Sequence, residues 1–186
     1  MVHKLVLLLF AALGSTITYS QKYELFEIEN GELVWRNTYR YEGPQDSLRR
    51  EVVSMLKSKV FTQQVVRNEI GYNGEIHHYQ VNCKRYGRKY NNTPLIYWSG
   101  EWSGKFIIEI ADHVYRVTIY GLYFENKPQQ VSRYQTSHPR KGYYSKEIWK
   151  KGTPHFKKTK LDDITFMSLS LRDDFDITNY SSPLKE

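Results

Sequence analysis

Apolar and polar positions alternate most clearly in the middle of the chain. In "GKFIIEIA" (104 to 111) Phe106, Ile108 and Ile110 fall on one side. Beyond the "ADH" turn, Tyr115, Val117 and Ile119 of "VYRVTIYGLYFE" (114 to 125) match them, while Arg116 and Thr118 alternate outward. A period of two with one polar side predicts an antiparallel hairpin, buried on one face and wet on the other. "GELVWRNTYRYE" (31 to 42) reads as a strand paired with "YELFEIE" (23 to 29) across the Glu29-Asn30-Gly31 turn. "QVVRNEI" (64 to 70) and "GEIHHYQVNCKRYG" (74 to 87) add two more strands.

In "DSLRREVVSMLKSKVF" the period lengthens to that of a helix: Leu48, Val52, Met55 and Leu56 share one face, and Arg49, Arg50 and Lys57 point away. Asp46 or Ser47 is placed to cap its start, and Lys57 and Lys59 suit the negative end of its dipole. "LDDITFMSLSLRDDFDI" fits two patterns. Ile164, Met167, Leu171 and Phe175 suit a helix capped by Asp162 or Asp163, whereas Met167, Leu169 and Leu171 alternate as in a strand; helix is favoured. Residues 126 to 160 have no clear period apart from a short helix around "YYSKEIWKK", and a connection of that length is usually functional or disordered. The pattern therefore predicts an α+β domain, an antiparallel sheet of about five strands with two helices on one face, in the order β-α-β-β-β-β-α.

The opening "MVHKLVLLLFAALGSTITYSQ" changes the setting. A basic start, an apolar run from Leu5 to Leu13, and small or polar residues up to Ser20 have the plan of a secretory signal peptide cleaved at Ser20-Gln21. The run is shorter than the roughly 20 apolar residues of a membrane-spanning helix. An exported, periplasmic or secreted product follows, with residues 21 to 186 as a single domain. Cys83 is the only cysteine, so no intrachain disulfide is available and the core must hold the fold.

Charge is segregated. The chain carries a net +7, and residues 138 to 160 hold eight Lys and Arg against the single acid Glu147, so the remainder is near neutral. Clustered cations with interleaved aromatics suit polyanions, single-stranded nucleic acid included. In an exported protein, anionic glycans and envelope surfaces come before nucleic acid, and the plainest reading is a solvated face.

Three segments carry a resemblance: "ELVWRNTY" entering the first helix, the polar turn before "NGEI", and "IADHVYRVTIYGLYF". They resemble a family of exported bacterial domains of unknown function whose fold is similar to one half of TATA-box-binding protein. The likeness covers residues 30 to 125 and the final helix, and it implies a TBP-like half-fold. His113 stands where a turn glycine is usual, and 126 to 160 looks like an insertion. The family supplies no catalytic or binding residues, and fold likeness does not carry function.

Candidate chemistry is sparse. His77 and Cys83 lie six residues apart, roughly 20 Å along a strand, too far for a thiol-imidazole pair, and Cys83 reads as a buried small apolar residue. His77 and His78 as strand neighbours point to opposite faces. His113, His138 and His155 lack ligand spacing, so no metal or cofactor is assigned. "LIYWSGEWSGK" repeats Trp-Ser-Gly, and in extended chain Trp98 and Trp102 project to one side beside Tyr97; they would stack on sugar rings or a peptide, or else pack across strands. The binding candidates are thus Tyr97, Trp98 and Trp102, with Arg140, Lys141, Tyr143, Tyr144, Trp149, Lys150 and Lys151. The function they suggest is a non-catalytic envelope module for a glycan, an anionic surface or a protein partner. The rival is a small periplasmic hydrolase or transferase built on His77, His113 and the Asp162-Asp163 carboxylates.

Overall fold

Asn30 and Gly31 both adopt positive φ (49° and 81°), the conformation a two-residue hairpin turn requires. That turn joins β2 (Phe26–Glu29) to β3 (Glu32–Arg40), pairing Glu29 with Glu32 and Phe26 with Trp35. The computed structural model describes residues 22–126, 130–132, 135–136, 139–150, 153 and 155–180, with side chains left aside at 130–132 and 135–136. The leader, its junction at Ser20-Gln21, and Lys151 lie outside the described residues.

The remaining strands are β1 (Lys22–Tyr23), β4 (Thr62–Arg67), β5 (Gly71–Tyr79), β6 (Gly100–Ala111), β7 (Val114–Asn126), β8 (Gln130–Ser132), β9 (Gln135–Thr136) and β10 (Arg140–Tyr143). Eight of them form one antiparallel sheet in the order β1-β2-β3-β7-β6-β5-β4, with β10 also on β7; β8 and β9 make a separate ribbon. The protein is α+β with an antiparallel sheet, as the alternation predicts, but the sheet has eight strands rather than about five. β1 and β10 were missed because strands of two and four residues are too short to show a period.

β7 has an unusual position. Its first half, Val114 to Tyr120, pairs with β3, and its last residues, Tyr123 to Asn126, pair with β10 along the same edge. Between them Gly121 takes φ 64°. There the buried side of β7 switches from Tyr115, Val117 and Ile119 to Leu122 and Phe124, opposite a register shift at Ser103/Lys105 of β6. One inserted residue exchanges the faces of everything beyond it.

Two 14-residue helices, α1 (Gln45–Ser58) and α4 (Leu161–Asp174), share a single core with the inner face of the sheet. α1 buries Leu48, Val52, Met55 and Leu56, as its period requires. It starts after Pro44 without a side-chain cap, so Asp46 and Ser47 sit inside its first turn and do not cap it. Residues 162–174 are helical rather than extended, the helix ending before Phe175, and again Asp162 and Asp163 occupy the first turn instead of capping. α4 crosses the strands and is pinned by Trp35 Nε1 to Ser168 Oγ (3.2 Å), Tyr79 to Ser170 (2.6 Å), and the Tyr39 hydroxyl to the Arg172 carbonyl (2.8 Å). Two short helices, α2 (Leu95–Trp98) and α3 (Tyr144–Ile148), add to this layer, giving four α-helices among the described residues rather than two. No helix of the described residues is long and apolar enough to cross a membrane.

The outer face of the sheet is polar, held by Arg36 bridging Glu27 and Glu29 (2.6 Å each). At the β4 edge, Val60, Val65, Val66 and Ile70 are exposed, and a bulge between Gln63 and Val66 interrupts the ladder, a device that discourages edge-to-edge pairing.

Candidate functional site

The aromatic stretch does not form an exposed platform. Residues 95–98 coil into α2 rather than extending, so Trp98 and Trp102 do not line one face. Tyr97 (1 % exposed) stacks on Trp102 (0 %) with ring centres 5.6 Å apart, and Trp102 Nε1 donates to the Ile96 carbonyl at 3.1 Å. Trp98 is half-buried and packs edge-on against Tyr90. Tyr144, also read as a binding residue, is fully buried: its hydroxyl accepts from the Tyr97 hydroxyl at 3.0 Å, and its ring meets Phe26 and Trp102 edge-on. Burial pushes the Tyr97 and Tyr144 hydroxyls well above the usual tyrosine value. Tyr97, Trp102 and Tyr144 are core, with no face to offer a ligand.

The described part of the basic stretch includes a strand and a short helix. Arg140 to Tyr143 form β10 against Asn126 to Tyr123, and the chain turns directly into α3. Farther on, Trp149 bridges Phe156, donates from Nε1 to the Thr153 carbonyl at 2.7 Å, and so is fixed in place. Alternation on β10 sorts the candidates. Lys141 and Tyr143 face outward beside Glu125 and Tyr123, and the ring of Tyr143, 52 % exposed, packs edge-on against Tyr123 at 5.4 Å. Exposed Lys146 places its ammonium 6.0 Å from the centre of that ring. Arg140 is tied to Glu147 at 2.8 Å, and Lys150 is exposed farther along.

Beside Tyr143 lies a cleft of about 230 Å³ lined by Gly31, Glu32, Leu33, Gly121, Leu122, Tyr143 and Ser145. It fills the notch where β7 changes partner, between the start of β3 and the end of β10. Leu33 and Leu122, both nearly buried, are its apolar residues, while Glu32, Ser145 and Tyr143 carry polar groups. Here an exposed aromatic, the Lys146 ammonium near its ring and a concavity meet.

Two chains of known structure are similar to this one. A TBP-like protein from Parabacteroides distasonis shares 16% identity at a TM-score of 0.48, over 83% of this chain and 97% of that one. A DUF4468 family protein from Bacteroides ovatus shares 9% identity at a TM-score of 0.47, over 91% and 95% respectively. No family model and no curated protein matches the chain.

The remaining candidates are scattered. Cys83 is buried, donates its thiol to the Tyr97 carbonyl at 3.2 Å, and is pushed up by burial, the behaviour of a packed apolar residue. His77 and His78 do not diverge: a bulge in β5, with His78 at φ 53°, brings their rings to 6.4 Å. Each is held by its own carboxylate, Glu75 and Glu101, both at 2.7 Å, and among the described residues no group of three or more ligands suits a metal. His113 sits in the β6–β7 turn at the far end of the sheet, and Asp163 pairs with Lys160 at 3.1 Å, so His77, His113 and the Asp162-Asp163 pair are not brought together. Sequence reasoning missed Glu32, Ser145, Lys146 and the Gly121 notch. A glycine between Tyr120 and Leu122, where the alternation slips by one, was the available signal.

Proposed function

We propose that this chain is an exported, non-catalytic interaction module that holds an anionic ligand at the β10 edge. The observation that carries the reading is the convergence of Lys141, Lys146 and the half-exposed Tyr143, its ring backed by Tyr123, at one end of the sheet. The Lys146 ammonium beside the ring, with Lys141 on the same face of β10 opposite Glu125, offers charge-assisted hydrogen bonds to sulfate, phosphate or carboxylate groups, and the ring an apolar surface for the rest of the ligand. Arg140, already paired with Glu147, braces the strand rather than serving the ligand. The leader-like N-terminus supports export, and with it the anionic polymers and surfaces of the envelope in preference to nucleic acid.

Retention on immobilised heparin and on phosphatidylglycerol vesicles at low salt tests the binding. The double variant Lys141→Ala/Lys146→Ala is expected to elute at distinctly lower salt than the unaltered chain, since exposed charges act through a screened field. Equal elution of the two proteins sinks the reading. Export is tested separately, by N-terminal sequencing after expression in a bacterial host. A product beginning near Gln21 outside the cytoplasm is expected, and intact chain confined to the cytosol overturns it.

A further inference from the structure

The cleft beside Tyr143 differs in chemistry from the cations near it, Lys146 with its ammonium 6.0 Å from the centre of the Tyr143 ring and Lys141 two residues back on β10. We infer that it seats one sugar ring of an acidic oligosaccharide, an inference that rests on the β10 edge being an anion site and names the ligand class. At about 230 Å³ the cleft is smaller than the roughly 300–1,000 Å³ of pockets for drug-sized molecules, so it admits a single ring. Its lining residues are of two kinds: Leu33 and Leu122, both nearly buried, and the exposed Tyr143 bring apolar groups, while Glu32, Ser145 and Tyr143 bring hydrogen-bonding ones. A pyranose has the same division, with C–H groups on its faces and hydroxyls around its rim.

Glu32 decides between ligands. An ionised carboxylate only accepts hydrogen bonds, so it repels a phosphate or sulfate entering the cleft and welcomes a hydroxyl. The acidic group of the ligand must then stay outside, on Lys141 and Lys146, while the part that enters donates. A bare polyphosphate or a lipid phosphate offers Glu32 nothing. An ammonium would satisfy Glu32 but would be repelled by Lys146 beside the Tyr143 ring. A sugar with an acidic substituent satisfies both halves at once.

The substitution Glu32→Gln separates the two kinds of anion by sign. Titration calorimetry would compare a heparin-derived tetrasaccharide with linear inorganic polyphosphate of the same formal charge. For the tetrasaccharide, Glu32→Gln is expected to weaken binding about 3- to 10-fold, since the amide oxygen still accepts but without the charge that strengthens the bond. Ser145→Leu, which fills the cleft without altering charge, is expected to weaken it similarly. For polyphosphate, Glu32→Gln should leave affinity unchanged or raise it, since a repelling charge is gone. If Glu32→Gln also leaves tetrasaccharide affinity unchanged or raises it, the sugar seat is refuted and the edge is a plain anion patch. Binding of polyphosphate without tetrasaccharide has the same meaning. If the unaltered chain binds neither, the anion edge falls too. Glu32 is exposed, so this variant is expected to fold, and melting temperatures check both it and Ser145→Leu.

Discussion

Tyr79 shows what a single hydroxyl does in this core. The side chain is buried, and its oxygen lies 2.6 Å from the Ser170 hydroxyl and donates to the Asp174 carboxylate at 2.9 Å, joining β5 to α4. Tyr79→Phe strips the Ser170 hydroxyl of that partner inside the protein, a loss of about 1–3 kcal/mol, whereas half-buried Tyr86 can exchange its Asp173 bond for water and Tyr86→Phe should cost less. Urea unfolding of both variants measures the difference, and equal losses would contradict it. The same residue scale explains the failure of the aromatic platform. Trp98 and Trp102 lie four apart, which reads identically whether the chain between them is extended or changes conformation. Only the three-dimensional packing of Ile96 and Tyr97 against Trp102 distinguishes the two. Leu48, Val52, Met55 and Leu56 were legible because a long helix repeats its message four times.

Among the elements, β7 carries the most structure per residue. It is the partner of β3, β6 and β10, and Gly121 is the point where it serves two of them on one edge. A Cβ built at Gly121 meets nothing within 4 Å, so the need for glycine is conformational rather than steric. Gly121→Ala should therefore cost about 1–2 kcal/mol, the penalty of a left-handed conformation, and Gly121→Asn less, because asparagine tolerates that region better. Hydrogen exchange should show the loss locally, with amides of β10 exchanging faster before those of β7 near Ile119 change. Uniform loss across the sheet would contradict a local role. The hairpin of β6 and β7 was readable from its alternation up to Tyr120, but the continuation was not, since one inserted residue reverses which positions are apolar. β10 was illegible for a different reason: its pairing partner lies 14 or more residues back, and its own four residues are Arg, Lys, Gly and Tyr.

For the molecule as a whole, tyrosine sets the response to base. Burial raises the hydroxyls of Tyr39, Tyr79, Tyr97, Tyr115 and Tyr144 above the ordinary value of 10.0. A group whose folded value is raised contributes stability that is full below its unfolded value and is lost as pH climbs from there toward the folded one. Stability should therefore be flat up to about pH 9 and fall steeply above pH 10, with several protons released in a single cooperative event. Tyrosinate absorbance followed together with circular dichroism checks this; ionisation of all sixteen tyrosines while the fold persists would contradict it. Composition made a tyrosine-rich protein plain, yet which tyrosines are sealed in was settled by the sheet's faces. At one place those two populations touch. Tyr143 looks out beside the cleft and Tyr144 is sunk among Phe26, Tyr97 and Trp102, with a single peptide bond between them. That bond works as a lever. With only one rigid peptide between the two residues, pulling β10 from the edge draws on the anchorage of Tyr144, so release of that strand should loosen the packing around it.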